Sequence, residues 1–215
     1  MDLPTTPYDL DDDLLAQTRD DGKPRVRVYQ FDHVAVVIGR GGKQELELRT
    51  DNIAADGVPL YKRPGGGCSV VLDPGNVIVS LALPLPGIGH IKSAFNAITD
   101  WVIAGLAASG VPDVVQQGVS DLVISEHKIG GSCVYRTRGL LYYSTTLLCA
   151  QKMPLVGQYL LHPPREPEYR KGRPHGSFMG SLQDLCGIGL DDEFLNNLNC
   201  HLGNGLSSLA SISDH

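Results

Sequence analysis

Residues 61–76 read YKRPGGGCSVVLDPGN. A Lys62-Arg63 pair and Pro64 lead into three consecutive glycines, Gly65, Gly66 and Gly67. Cys68 and Ser69 follow, then the apolar run Val70, Val71 and Leu72, and then Asp73-Pro74-Gly75-Asn76. Glycine lacks a Cβ, so its backbone reaches positive φ and comes close to a ligand. Successive amide N–H groups in such a turn make a concave anion site. An arginine beside it offers a planar fork suited to phosphate or carboxylate. Two readings follow from these residues: a phosphate or acyl-adenylate cradle, or a hairpin turn with solvated charges.

Working outward toward the N-terminus, residues 10–18 follow an aspartate-rich start and predict a short helix, with acidic side chains placed well for the helix dipole. Residues 26–29 alternate apolar and polar, and residues 34–38 form a β-branched run, so both predict strands. The turn Gly39-Arg40-Gly41-Gly42 ends the second of them, and residues 45–55 predict one helix. Toward the C-terminus, residues 77–83 predict a strand broken at Pro84. Ile88, Ile91, Phe95, Ile98, Val102 and Leu106 recur at steps of three or four, the pattern of an amphipathic core helix. His90 at its start is read as structural. Residues 120–125 predict a strand leading to Glu126-His127-Lys128-Ile129-Gly130-Gly131-Ser132-Cys133. There Lys128 stands beside small residues and can reach a ligand as a compact cation. Residues 163–177 are basic and proline-rich, a loop; residues 181–186 and 191–202 predict helices, and the remainder a frayed tail.

Composition narrows the function classes. The chain has 215 residues and 42% hydrophobic residues, enough for one sizeable domain. A net charge of −6 argues against a general nucleic-acid binder. The longest apolar runs fall short of the roughly 20 residues needed to span a bilayer. The acidic N-terminus does not read as a signal peptide. Five cysteines, an odd number with no C-x-x-C pair, suit free thiols in a reducing cytoplasm and suggest no resident metal site.

Together the two motifs resemble those of the lipoate–protein ligase and octanoyltransferase family. Lys62 and Arg63 match its arginine pair, and Pro64 and Gly65 its small residues. Gly66, Gly67 and Cys68 fall on its three glycines, Leu72 on its histidine, and Asp73 with Gly75-Asn76 on its closing turn. Phe31 and the segment ending at Gly39-Arg40 match the strand edge before it. In the second motif Asp121-Leu122-Val123, Lys128, Ile129, Gly131 and Ser132 match, followed by Arg136, Arg138, Gly139 and the buried run Leu147-Leu148. Cys68 for glycine, Leu72 for histidine, Cys133 for alanine and Ser144-Thr145 for His-Gly are departures.

The resemblance implies an α/β fold with a mixed sheet flanked by helices, like the biotin ligase and class II synthetase core. The whole chain, 1–215, then reads as one catalytic domain without a C-terminal accessory domain. It implies a ligase that uses ATP and Mg2+ to turn lipoate or octanoate into an acyl-adenylate, then passes the acyl group to a lysine of a lipoyl-acceptor protein. Lys128 is then the catalytic residue. Arg63, Gly66, Gly67, Cys68, Ser69, Val70, Val71, Asp73, Lys128, Gly131 and Ser132 are then the binding residues, with the nucleotide held through the backbone groups of residues 68–71. A separate small accessory subunit is an open alternative to the missing domain.

The family's transferases instead form a thioester on a cysteine. Neither of its usual places, within residues 114–125 or at Leu160-Leu161-His162-Pro163, holds one here. Cys68 and Cys149 remain as nucleophile candidates, both better explained as small buried cysteines. Ligase is therefore preferred over a carrier-dependent transferase. A non-catalytic acyl- or nucleotide-binding module is the third reading.

Overall fold

The structure, a computed structural model, describes residues 2–87 and 89–209. In chain order the elements are β1 (Thr6–Pro7), α1 (Asp12–Asp21), β2 (Arg25–Gln30), β3 (Ala35–Ile38), α2 (Gln44–Glu47), α3 (Thr50–Ala55), β4 (Leu60–Lys62), β5 (Val70–Leu72) and β6 (Asn76–Pro84). The second half adds α4 (Ile91–Ala108), β7 (Val115–Gln117), β8 (Asp121–Ile124), β9 (His127–Thr137), β10 (Leu140–Leu148), α5 (Met153–Tyr159), α6 (His175–Phe178), α7 (Leu182–Cys186) and α8 (Asp192–Gly205).

The expected mixed pairing is present, but it is confined to the smaller of two sheets. The described residues form a four-stranded sheet, β1-β4-β3-β5, and a six-stranded sheet, β2-β6-β10-β9-β8-β7. The small sheet pairs β4 in parallel with β1 and β3, and β5 antiparallel to β3. Every named pairing in the large sheet is antiparallel. β6 explains why two layers meet on it. Val77, Val79, Leu81 and Leu83 point to one face, into the cluster containing Phe95, Ile98, Val102, Leu106, Leu198 and Leu202 of α4 and α8. Ile78, Ser80 and Ala82 alternate to the other face, toward Phe31 and the small sheet and toward α1. Burial of each Leu, Ile or Val in these clusters contributes about 1.5–3 kcal/mol. Gly105 lets α4 and α8 approach, because a Cβ there would collide with Leu202.

Several sequence expectations need correction. Residues 45–55 are not one helix. Leu48 is extended and bridges to Leu160, and Arg49 N–H donates to the Tyr159 carbonyl, so tertiary pairing splits the segment into α2 and α3. On α4 the buried face starts at Ala94 and Phe95, whereas Ile91 is exposed and Ile88 lies outside the described residues. His90 adopts φ 57° before the helix, and its carbonyl accepts from Ala94 N–H and Ser93 Oγ. Asp191 caps α8 by accepting from Phe194 N–H at 2.8 Å. Residues 203–209 are not frayed: α8 runs through Gly205, and Leu209 is buried against the core, while the rest of the expected tail lies outside the described residues. Residues 163–177 hold a 3-10 turn at Glu168–Arg170 and the start of α6. Among the described residues no helix is long and apolar enough to cross a membrane.

Candidate active site

The two sequence motifs face each other across a cleft of about 1090 Å3. One wall is the 63–72 segment, from the glycine loop into β5; the floor is β9 from Lys128 to Tyr135. The 163–180 segment covers the Lys128 end: Gly180 N–H donates to the Lys128 carbonyl at 3.0 Å, and Met179 bridges to Lys128. At Cys133 the glycine loop comes down onto the strand. A Cβ on Gly65 would sit 2.9 Å from Cys133 Sγ.

Arg63 does not project as an open phosphate fork. Its Nη2 donates to the carbonyls of Cys68 at 2.7 Å and Gly66 at 2.9 Å, Nε to Gly66 at 3.2 Å, and Nη1 to Val37 at 3.2 Å. The guanidinium shapes the loop by gathering its carbonyls. Gly67 takes φ 92°, a left-handed conformation natural to glycine. Its carbonyl packs against Gly39, where any Cβ would collide with it.

The amides divide into two groups. Ser69 N–H donates to buried Glu47 Oε2 at 2.6 Å, with Ser69 Oγ on the same oxygen at 2.8 Å. The expected donation from Ser69 to an anion is therefore already taken. Val70 and Val71 belong to β5, registered with Val37 and Val36, and the Val71 carbonyl accepts from Gln151 Nε2 at 2.7 Å. By contrast, the amides of Gly67 and Cys68 have no acceptor among the described residues, and both residues line the cleft. Asp73 is not a binding residue of the cleft wall. It is fully buried, accepting from Gly75 N–H at 2.7 Å and Lys152 N–H at 2.8 Å, so it fixes the turn into β6. Gly66 serves the loop through its carbonyl and is outside the lining as well.

Cys68 is exposed, not the small buried cysteine expected, whereas Cys149 is buried as expected. The Cys68 Sγ lies 3.8 Å from the Arg165 carbonyl, and desolvation, with Glu47 second, pushes the thiol pKa up. That favours the protonated, poorly nucleophilic form.

Lys128 is not a lone cation. Its Nζ lies 2.7 Å from Asp121 Oδ1, and Tyr169 OH donates to Asp121 Oδ2 at 2.8 Å. Burial and the Asp121 carboxylate push the Tyr169 phenol pKa up. Gly131 is needed beneath the lysine, since a Cβ there would come within 3.1 Å of both Lys128 Cε and Nζ. Ser132 faces inward and pairs its Oγ with Tyr143 OH at 2.8 Å; burial pushes that phenol up to about 12.

Asp121, Tyr169, Arg170 and His175 are site residues that sequence reading assigned no role. Arg170 is 4% exposed, stacks on Phe178 at 4.6 Å and lies 3.5 Å from Glu166. Burial lowers its pKa. His175 Nε2 lies 3.1 Å from the Leu161 carbonyl, which only accepts, so Nε2 carries the proton. Nδ1 then faces Arg170 Nη2 at 3.5 Å, and burial lowers the imidazole pKa. The basic composition of residues 163–177 was the available signal for Arg170, and the Asp121-Leu122-Val123 strand the signal for Asp121. Among the described residues no group of three or more His, Cys, Asp or Glu could hold a metal ion.

The chain is similar to several known proteins. A probable lipoate-protein ligase A of Mycoplasma genitalium is 28% identical over 151 residues, covering 70% of this chain and 44% of that protein. A putative lipoate-protein ligase A of Aeropyrum pernix is 27% identical over 140 residues, covering 65% of this chain and 52% of that protein. The chain thus spans about half the length of the curated relatives it matches. The bipartite lipoate protein ligase from Thermoplasma acidophilum, described with its E2 lipoyl domain, superposes with a TM-score of 0.74 at 22% identity. That match covers 97% of this chain and 82% of the other. A lipoate-protein ligase A bound with ATP gives 0.73 at 21% identity, covering 99% and 91%. At these identities the likeness establishes the fold. The family model of the lipoyl protein ligase A/B catalytic domain matches residues 4–200, and the chain therefore belongs to that family.

Proposed function

We propose that this chain is a lipoate–protein ligase catalytic domain that activates lipoate or octanoate with ATP and transfers the acyl group to an acceptor lysine. The acid's carboxylate attacks the α-phosphorus of ATP and pyrophosphate leaves, giving the acyl-adenylate. The neutral amine of the acceptor lysine then attacks the acyl carbonyl, an amide forms, and AMP leaves. The observation that carries this reading is the convergence on one cleft of the free Gly67 and Cys68 amides, the Lys128 ammonium and a cationic segment containing Arg165, Arg170 and Lys171.

In this reading the two amides hold the α-phosphate. Lys128 moves from Asp121 to the shared phosphate–carbonyl region and offsets the charge gained in both steps. The cationic segment receives the polyphosphate, with Mg2+ arriving on the nucleotide. The raised Cys68 thiol pKa argues against a thioester route. The acceptor is a lipoyl-domain-like protein, supported by the Thermoplasma system's description as bipartite with its E2 lipoyl domain. The same description supports a separate accessory subunit, and the reaction is assigned to the cytoplasm.

The experiment is mass spectrometry of a lipoyl-acceptor domain after incubation with the chain, ATP, Mg2+ and lipoate, with and without a supplied accessory protein. The expected result is a lipoyl mass increment that survives Cys68→Ser. Absence of the increment in both arms, or a thioester trapped on Cys68, overturns the reading.

A further inference from the structure

Asp121 is 8% exposed, and the two oxygens of its carboxylate face different elements. Oδ1 holds Lys128 Nζ at 2.7 Å, and Oδ2 accepts from Tyr169 OH at 2.8 Å. Lys128 is on β9, whereas Tyr169 belongs to the segment that covers the Lys128 end of the cleft. One anion therefore holds both the cation of the site and the cover above it.

The Tyr169 ring has contacts of its own. It packs on Phe178 with centroids 5.2 Å apart. Gly118, at φ 60°, brings the turn between β7 and β8 against it: a Cβ there would meet Pro167 at 3.2 Å and Tyr169 at 3.8 Å. Arg173 Nη2 donates to the Tyr169 carbonyl at 3.0 Å and to the Glu126 carbonyl at 3.2 Å, a second tie to the β8–β9 hairpin. None of these contacts uses the hydroxyl, whose bond to Asp121 is separate from them. Burial, and then the Asp121 charge, push the phenol pKa up, so the hydroxyl stays protonated and donates.

In the empty cleft the Asp121 charge is divided between an ammonium and a phenol. A largely buried carboxylate that loses its cation depends more on its remaining donor. A hydrogen bond to an uncompensated charge is also roughly twice as strong as a neutral one. Departure of Lys128 thus strengthens the bond that holds the cover.

We infer that Tyr169 is a positioning residue that couples Lys128 to the cover: when Lys128 leaves Asp121, the Tyr169 hydroxyl tightens on the freed carboxylate and draws residues 165–173 down over the cleft. That Lys128 leaves for a substrate rests on the ligase reading above, whereas the coupling through Asp121 does not.

The test is a cycle of Tyr169→Phe and Lys128→Met in the full chain without ligand. It is read by the amide protection factors of Arg170, Gly172 and Arg173, whose N–H groups are hydrogen-bonded within the segment. Lys128→Met is expected to raise protection about fivefold. Tyr169→Phe keeps the ring and should cost about fivefold more protection in the Lys128→Met background than in the parent. Equal costs in the two backgrounds, or no rise in Lys128→Met, would make Tyr169 a structural contact alone and overturn the inference. A second arm does not depend on the folding of Lys128→Met: an acyl-sulfamoyl adenosine is added to the parent and to Tyr169→Phe. Its protection of the same amides should be about fivefold smaller in Tyr169→Phe, and the same factor in both chains overturns the inference. Coupling in the variant cycle without binding of the analogue upholds the inference and counts against the ligase reading instead.

Discussion

The glycine loop and the Lys128 strand were both legible as binding motifs, yet they are built on opposite plans. In the loop, charge is spent inward. Arg63 donates to three backbone carbonyls, and Glu47 takes both donors of Ser69. Gly67 and Cys68 line the cleft, and their amides have no acceptor among the described residues. Across the cleft the charges are paired side chain to side chain, Lys128 with Asp121 and Asp121 with Tyr169. Such pairs exchange partners without refolding the backbone. In the two-step reaction proposed above, the loop would persist as a fixed cradle while the Lys128 ammonium changes partners opposite it.

The sharpest way to break that contrast is Lys128→Ala. Preorganised charge at a developing oxyanion is worth about 2.7–4 kcal/mol, about 100–1,000-fold in rate. Single-turnover transfer from preformed lipoyl-adenylate should fall by that factor with the fold retained. Lys128→Arg should also be poor, because the guanidinium is wider and planar where the ammonium is a compact point charge. A transfer rate within a few-fold of the parent would leave Lys128 only its structural pair with Asp121.

Arg63→Ala should act differently. It removes donors to Val37, Gly66 and Cys68, and charge-assisted bonds of this type are worth about 1.5–3 kcal/mol. Because the side chain shapes the loop, stability and nucleotide affinity should fall together. Calorimetric ATP binding alongside thermal melting separates the cases. Lost affinity at unchanged stability would return Arg63 to direct phosphate contact.

The smallest effect concerns pH. Burial depresses the His175 pKa, so the fold favours the neutral ring. Its contribution is complete above the unfolded value of about 6.5 and is lost as pH falls through the folded value. Amide protection factors across residues 163–180, which remove the intrinsic slowing of exchange at lower pH, should therefore fall on acidification in the parent chain. In His175→Gln that pH dependence should be absent; its persistence would assign the loosening to another group.

Sequence carried the architecture well, because periodicity reports burial. The strand read at residues 77–83 and the three-four spacing in α4 correspond to faces packed at Val77, Val79, Ile98 and Val102. It carried the site less well, because a motif names residue types and not their acceptors. Nothing in residues 61–76 says that Arg63 turns back to Cys68, or that Asp73 is held by Lys152, 79 residues away. The Lys128–Asp121 pair depends on the hairpin register of β8 and β9, where a bulge between Leu122 and Val123 shifts the pairing. Cys68 was expected to be buried on residue type alone, whereas it is exposed and lines the cleft.

In the proposed reaction the acyl-adenylate phosphate is held by the free amides of Gly67 and Cys68 and not by the Ser69 amide that Glu47 occupies. Amide chemical shifts followed by 15N NMR, on adding a non-hydrolysable acyl-sulfamoyl adenosine, test it directly. Large downfield shifts are expected at Gly67 and Cys68, with Ser69 unmoved. A shift at Ser69 with Gly67 and Cys68 unchanged would contradict it.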